Sequence, residues 1–324
     1  MNRRHFLISL TAAAVRPGIA AAQSKVYRIG SLSPVMPFVP KSPFGALLSR
    51  GFTAAGYAID GSLVLIPRGS NGQSELLPRL AQELADAKVD AILATGYPAA
   101  VAAKQTGLPT VVTHAVGDPV ATGLIASLAR PGGNVTGISD NATELLAKRL
   151  QILKQVAPGI KRVAMLWNKN DRAMVLRYEA SAKAADVLGV SIQPLGVGEP
   201  DDFGEAFNAM ESSMPDAILM VADSLTILNR KRVFDFAAAR RLPAMYEYEN
   251  LARDGGLLSY GPDFAECFAR AASLADRILK GADPADLPFE QPTRYRLVIN
   301  LKTANAMSLE IPPTLVASAD EVIE

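Results

Sequence analysis

From Lys25 onward, short apolar runs rich in β-formers alternate with segments of helical spacing, and that rhythm confines the chain to few folds. The first runs fall at 26–30, 62–66, 90–94, 110–113 and 135–138. Between them stand helical patterns such as Phe44, Leu47, Leu48 and Phe52, then Leu76, Leu80 and Leu84 with Ser74 as the expected N-cap. The rhythm restarts after a helical stretch near 144–156, with runs at 162–166, 191–195, 217–221 and 244–246. Strands this apolar are buried on both faces, which predicts parallel sheets with helical crossovers. Two successive sets predict an α/β architecture of two doubly wound, Rossmann-like lobes.

No polar linker separates the two sets, and late runs at 256–259 and 294–300 remain to complete the sheets. The chain is therefore expected to cross between lobes more than once. Residues 26–139 and 257–286 are assigned to the first lobe, 140–256 and 287–324 to the second, with a multi-crossing hinge between them.

Residues 1–22 read as an export leader. Arg3 and Arg4 precede the short apolar run 6–15, and Ala20-Ala21-Ala22 offers a small-residue cleavage site. The run is about half of the ~20 residues a membrane-spanning helix needs. The order Arg3-Arg4-His5-Phe6-Leu7 favours twin-arginine export, hence a periplasmic location. A leader with three Arg and no acid leaves 30 basic against 32 acidic residues. Such a balance gives no footprint for nucleic acid or an anionic membrane. The single cysteine, Cys267, lies in a helical apolar pattern and reads as a core residue. With no disulfide available, the core alone must hold the fold.

In open parallel sheets a ligand sits outside the carboxyl ends of the strands. On the first lobe that rule selects Ser31 and Ser33, then Thr95, Gly96 and Tyr97, then Val116 and Asp118. Across the cleft it selects Trp167 and Asn168, Asp223 and Ser224, and Tyr246 and Glu247; Tyr260 lies near a lobe crossing. Hydroxyls and free amides at a helix start suit a carboxylate, an acid such as Asp223 or Glu247 suits an ammonium group, and Tyr97, Tyr246 and Trp167 suit a ring. Ser31 and Ser33 also read as helix caps, Asp118 as a turn brace before Pro119, and Trp167 as packing. Replacing Tyr246 and Glu247 together with Ala is expected to abolish binding and leave the melting temperature nearly unchanged.

Catalysis has little to stand on. His5 belongs to the leader, which leaves His114 as the one candidate general base, for a hydrolase, and no Gly-x-Ser-x-Gly elbow accompanies it. There is no Walker loop, no complete dinucleotide fingerprint and no Cys/His cluster for zinc, so neither cofactor nor metal is expected. Asn134-Val135-Thr136 fits a glycosylation sequon and reads as turn chemistry.

Several blocks carry a family resemblance: 117–120, the long run 123–137, Leu166-Trp167-Asn168, 255–263, 278–288 and 298–304. They resemble the ABC-transporter substrate-binding proteins of the tryptophan/tyrosine-permease type, over nearly the whole mature chain. The resemblance implies a type I periplasmic binding protein with three hinge crossings, a small ligand in the cleft and an ABC permease as partner. Characterised relatives are similar to receptors for aromatic amino acids, but the cargo does not carry over from them; it is the mixture of hydroxyls, acids and rings at the strand ends that suits an amino acid or small aromatic carboxylate, bound by a monomer. The same fold also serves ligand sensors that present a closed form to a receptor, and the sequence leaves that alternative open.

Overall fold

A computed structural model describes residues 25–141 and 144–324; the expected leader at 1–22 lies outside the described residues. The first set of runs forms β1 (Tyr27–Ser33), α1 (Pro43–Ala54), β2 (Leu63–Gly69), α2 (Leu77–Asp86), β3 (Ala91–Ala94), α3 (Tyr97–Gln105), β4 (Thr110–Val112) and β5 (Val135–Gly137). These five strands make one parallel sheet, ordered β2-β1-β3-β4-β5.

The second set gives α4 (Leu146–Val156), β6 (Arg162–Asn168), α5 (Arg172–Val187), β7 (Ser191–Val197), α6 (Asp202–Ser212) and β8 (Ala217–Met220). It continues through α7 (Ser224–Leu228), α8 (Arg230–Arg240), β9 (Ala244–Tyr246), α9 (Glu249–Arg253) and β10 (Leu258–Pro262). Then α10 (Phe264–Leu279) returns to the first sheet, before β11 (Tyr295–Asn300), α11 (Leu301–Ala306), α12 (Pro313–Ala317) and β12 (Glu321–Ile323). The second sheet is ordered β12-β11-β10-β9-β8-β6-β7. The architecture is thus two wound α/β lobes, each with its own sheet.

Two details depart from expectation. Strand β10 pairs with β9 and β11 in the second sheet, so 257–262 does not lie in the first lobe where 257–286 was placed. The helix after it packs on α1 and on β3 and β4 of the first lobe. Strand β11 runs antiparallel to β10. The cause is topological: β10 ends at the face between the lobes and leaves, and β11 comes back in through that same face and must run away from it. Ser74 caps nothing; it opens a short 3₁₀ turn, and Pro78 sets the start of α2 after it.

The crossovers are bound side by side. Ser139 N donates to Glu290 O and Glu290 N to Gly137 O, each at 2.8 Å, and Asp263 N donates to Arg294 O at 3.1 Å. Asp263 also caps α10 by accepting from Glu266 N. Cys267, on the inner face of α10, is fully buried, and burial pushes its thiol up to about 12, which removes thiolate chemistry near neutral pH. Among the described residues no helix is long and apolar enough to cross a membrane.

Candidate functional site

The carboxyl ends of both sheets face each other, and between them lies a cleft of about 870 Å³. Its first-lobe wall comes from the turn after β2 (Asn71, Gln73, Ser74, Glu75), the start of α2 and the exposed side of α3, led by Tyr97. Its second-lobe wall comes from Asn168 at the end of β6 with Asn170, Asp171 and Arg172 beyond it, Glu199 after β7, and Ser224, Leu225 and Leu228 on α7 with Asn229 just past its end. A smaller groove of about 570 Å³ lies on the second lobe alone, around Arg230, Asp254 and Lys302.

Of the residues selected from sequence, Tyr97, Asn168 and Ser224 line this cleft together. Asp223 stands directly behind them. It caps α7, accepting from Thr226 N and Thr226 Oγ1 at 2.9 Å each, and takes a further hydrogen bond from Asn168 Nδ2. Burial raises its carboxyl above the ordinary range, against those donors.

Others went into the walls instead. Ser31 and Ser33 are buried, and Ser33 Oγ accepts from Val35 N at 3.1 Å, bracing the turn after β1. Thr95 Oγ1 pairs with Thr113 Oγ1 at 2.8 Å, and Gly96 precedes α3 at φ +78°. Val116 is in the first-lobe core. Asp118 Oδ1 accepts from Val120 N and Ala121 N, closing a turn. Trp167 stacks on Tyr178 at 3.8 Å between centroids, and Tyr260 sits half-buried beside Tyr295. Tyr246 is 1% exposed and packs edge-on to Phe234, far from the wet position expected of it.

Glu247 belongs to a buried ionic cluster that sequence spacing could not show. Its two oxygens accept from Arg149 Nη1 (2.8 Å), Arg177 Nη1 (2.7 Å) and Ala222 N (2.8 Å). Arg177 Nη2 donates to Asp140 Oδ2 at 2.8 Å, Tyr248 OH donates to the same oxygen at 2.8 Å, and Arg149 Nε donates to Tyr260 O. Burial alone would push the Asp140 carboxyl up; the Arg177 guanidinium and the Tyr248 hydroxyl override it and hold it below the ordinary range. Asp140 lies on the first crossover, so the cluster fastens that segment to the second lobe.

His114 is not placed for catalysis. It is 4% exposed and enclosed by Phe44, Phe264, Phe268 and Tyr248, with Nδ1 3.1 Å from Thr113 Oγ1. None of these rings lines the cleft. Burial pushes His114 down to about 4. A histidine kept neutral in the fold contributes stability above its unfolded value near 6.5 and loses it as pH falls toward 4. Urea unfolding at pH 7 and pH 5 should therefore differ by ~2 kcal/mol more in the wild type than in His114→Gln. Equal differences in the two proteins would remove the claim.

The carboxyl-end rule had the means to find Asn71, Gln73 and Glu199 as well, had it been applied to the ends of β2 and β7. Asn170 to Arg172 lie one turn beyond Asn168, and the helix signal there drew attention to packing instead.

A family model described as "ABC transporter substrate binding protein" matches residues 48–323. A tyrosine-binding protein of Clostridioides difficile is 25% identical over 233 residues, covering 71% of this chain and 66% of that protein, just under two thirds of its length. Two solved structures share the fold. A conserved domain protein of Vibrio cholerae has a TM-score of 0.84 at 22% identity, over 92% of this chain and 100% of that one. An ABC domain of Streptococcus pneumoniae in complex with L-Trp has a TM-score of 0.82 at 23% identity, over the same shares.

Proposed function

The chain belongs to the ABC transporter substrate-binding protein family, and from that premise we propose that it is the exported receptor of an ABC importer, closing its two lobes around an amino acid or a small aromatic carboxylate. The family is a class of solute-binding proteins, not of enzymes, and its members bind small ligands and work with permeases. One observation carries the finer reading: a cleft of about 870 Å³, walled from both lobes at the carboxyl ends of their strands. That volume suits a small organic ligand. Micromolar capture needs about 8 kcal/mol, which several polar contacts and one buried ring can supply.

In this reading Tyr97 from the first lobe and Asn168 and Ser224 from the second hold the ligand, with Asp223 setting Asn168. A molecule touching both walls binds the closed form better than the open one, and that difference drives closure. The closed form docks on the permease. Export through the leader at 1–22 by the twin-arginine route places the receptor in the periplasm.

The test combines a thermal-shift screen over amino acids and aromatic acids with small-angle scattering. A true ligand raises the melting temperature, since it binds only the folded chain, and saturation shrinks the radius of gyration. A ligand that stabilises the protein with no compaction would contradict closure.

A further inference from the structure

We propose that the proline-rich loop between β1 and α1 forms, together with Leu228 of α7, an apolar docking surface at the mouth of the cleft, and that its partner is an apolar periplasmic face of the ABC permease. This rests on the importer reading and names the residues that make the contact.

The crossovers leave from β5 and β10, so the cleft opens at the opposite edges of the two sheets, at β2 and β7. There the turn after β2 is tied to the loop after β1: Asn71 N donates to Val35 O at 2.9 Å and Gly72 N to Pro34 O at 2.8 Å. Next to these bonds Met36 is 67% exposed, and Val39 of the same loop is 43% exposed. Leu228 of the second lobe, also 43% exposed, reaches the same turn; a Cβ built on Gly72 would stand 2.7 Å from its Cδ1. Single exposed apolar side chains are ordinary, but Met36 and Leu228 adjoin one turn from opposite lobes, and a gathered apolar patch marks an interaction site.

The loop is braced to present these side chains. Pro34, Pro37, Pro40 and Pro43 restrict its backbone, and Phe38 is buried against Phe44 and Phe268. Two glycines let it lie close: a Cβ at Gly45 would come within 1.9 Å of Val39 O, and one at Gly69 within 2.4 Å of Pro37 N. A loop already ordered loses little entropy when it binds, and an exposed thioether adapts to an apolar partner. Lys41 is the only charge between Pro34 and Pro43, whereas an anionic membrane surface calls for several cations. A second copy of the chain seated here would cover the mouth and shut the ligand out. Opening the cleft carries Leu228 away from Met36, so the patch is whole only with the lobes together, which suits a partner that must engage the closed form.

The test places the photo-crosslinking residue p-benzoylphenylalanine at position 36 or, as a control, at position 187, in the full chain expressed in the bacterium that makes it. Val187 is well exposed at the far end of α5, roughly 20 Å along that helix from the cleft wall. Illumination of intact cells should join position 36 to a multi-spanning membrane protein that mass spectrometry identifies as an ABC permease, and position 187 should give no such adduct. Gly117→Val, whose side chain would meet Ala173 of the other lobe, should cut the yield at position 36 roughly tenfold. Washed membranes should retain the chain equally well at low salt and at about 0.5 M salt, because the contact is apolar. Met36→Glu should weaken that retention roughly tenfold or more, with the melting temperature unchanged. No adduct at position 36, an adduct there with a second copy of this chain, a yield that Gly117→Val leaves unchanged, or retention abolished by salt would each overturn the proposal. Two outcomes separate this surface from the importer reading. A permease adduct from position 187 alone sinks the patch and leaves the importer standing, whereas a single-span receptor joined to position 36 sinks the importer and with it the partner named here.

Discussion

Glu247→Ala should destabilise the empty protein by ~3–5 kcal/mol, because it leaves two guanidinium groups in a dry interior without the carboxylate they share. Arg149 and Arg177 are each 1% exposed and Glu247 2%, so water cannot replace the missing partner. Ala222 N would lose its acceptor as well. For a chain of this size the loss should lower the melting temperature by roughly 10 °C. The sequence alone led to the opposite expectation, that replacing Tyr246 and Glu247 would spare the melting temperature. Calorimetry decides between them: a shift below about 2 °C would mean the cluster adds little. Asp140→Ala should behave in the same way, since it strips Arg177 and Tyr248 of a common acceptor.

The second large effect concerns closure. Gly117 follows β4 on the first lobe and lies against Ala173 of α5 on the second; a Cβ built there would stand 3.1 Å from the Ala173 Cβ. Its φ of +67° also disfavours a side chain. Under the closure we propose, Gly117→Val acts as a wedge. The closed form becomes a minor population, and apparent affinity falls by the same fraction, roughly ten- to a hundredfold. Scattering should show a larger radius of gyration with or without ligand. Gly107→Val is the control, with φ +73° and open space around it, so it carries the backbone strain and none of the collision. Equal affinities for the two variants would mean that the lobes do not need to meet.

How far the sequence reached follows from what each feature depends on. Strand runs are local, and β1 to β9 stand where the apolar runs lie; apart from the edge strands β2 and β7 they are largely buried on both faces, with no polar alternation to obscure them. The direction of β11 depends on which lobe the chain returns from, which no run of residues records. The carboxyl-end rule led to Tyr97, Asn168 and Ser224 because it uses topology alone. It also led to Ser33, Thr95 and Asp118, whose side chains turned back on their own loops, a choice between equivalent-looking hydroxyls and acids that only packing makes. The ionic cluster joins residues 37, 70 and 98 positions apart. Arg149 and Arg177 sit in helices whose other charged residues are exposed or, like Lys154, partly so, and nothing in spacing marks these two as buried.

The buried cluster also limits where the first crossover can swivel in the closure we propose. Gly137 is wedged into the first sheet, where a Cβ would come within 2.5 Å of the Val112 backbone. Three residues later, Asp140 is bolted to Arg177 and Tyr248 of the other lobe. A rotation that left Asp140 behind would pull a carboxylate away from a guanidinium in a waterless interior, so the second lobe must carry it along. Only Ile138 and Ser139 lie between these two anchor points, and both are tied to Glu290. Under the closure we propose, the pivot of this strand is therefore two residues long, and it flexes together with the segment that carries Glu290.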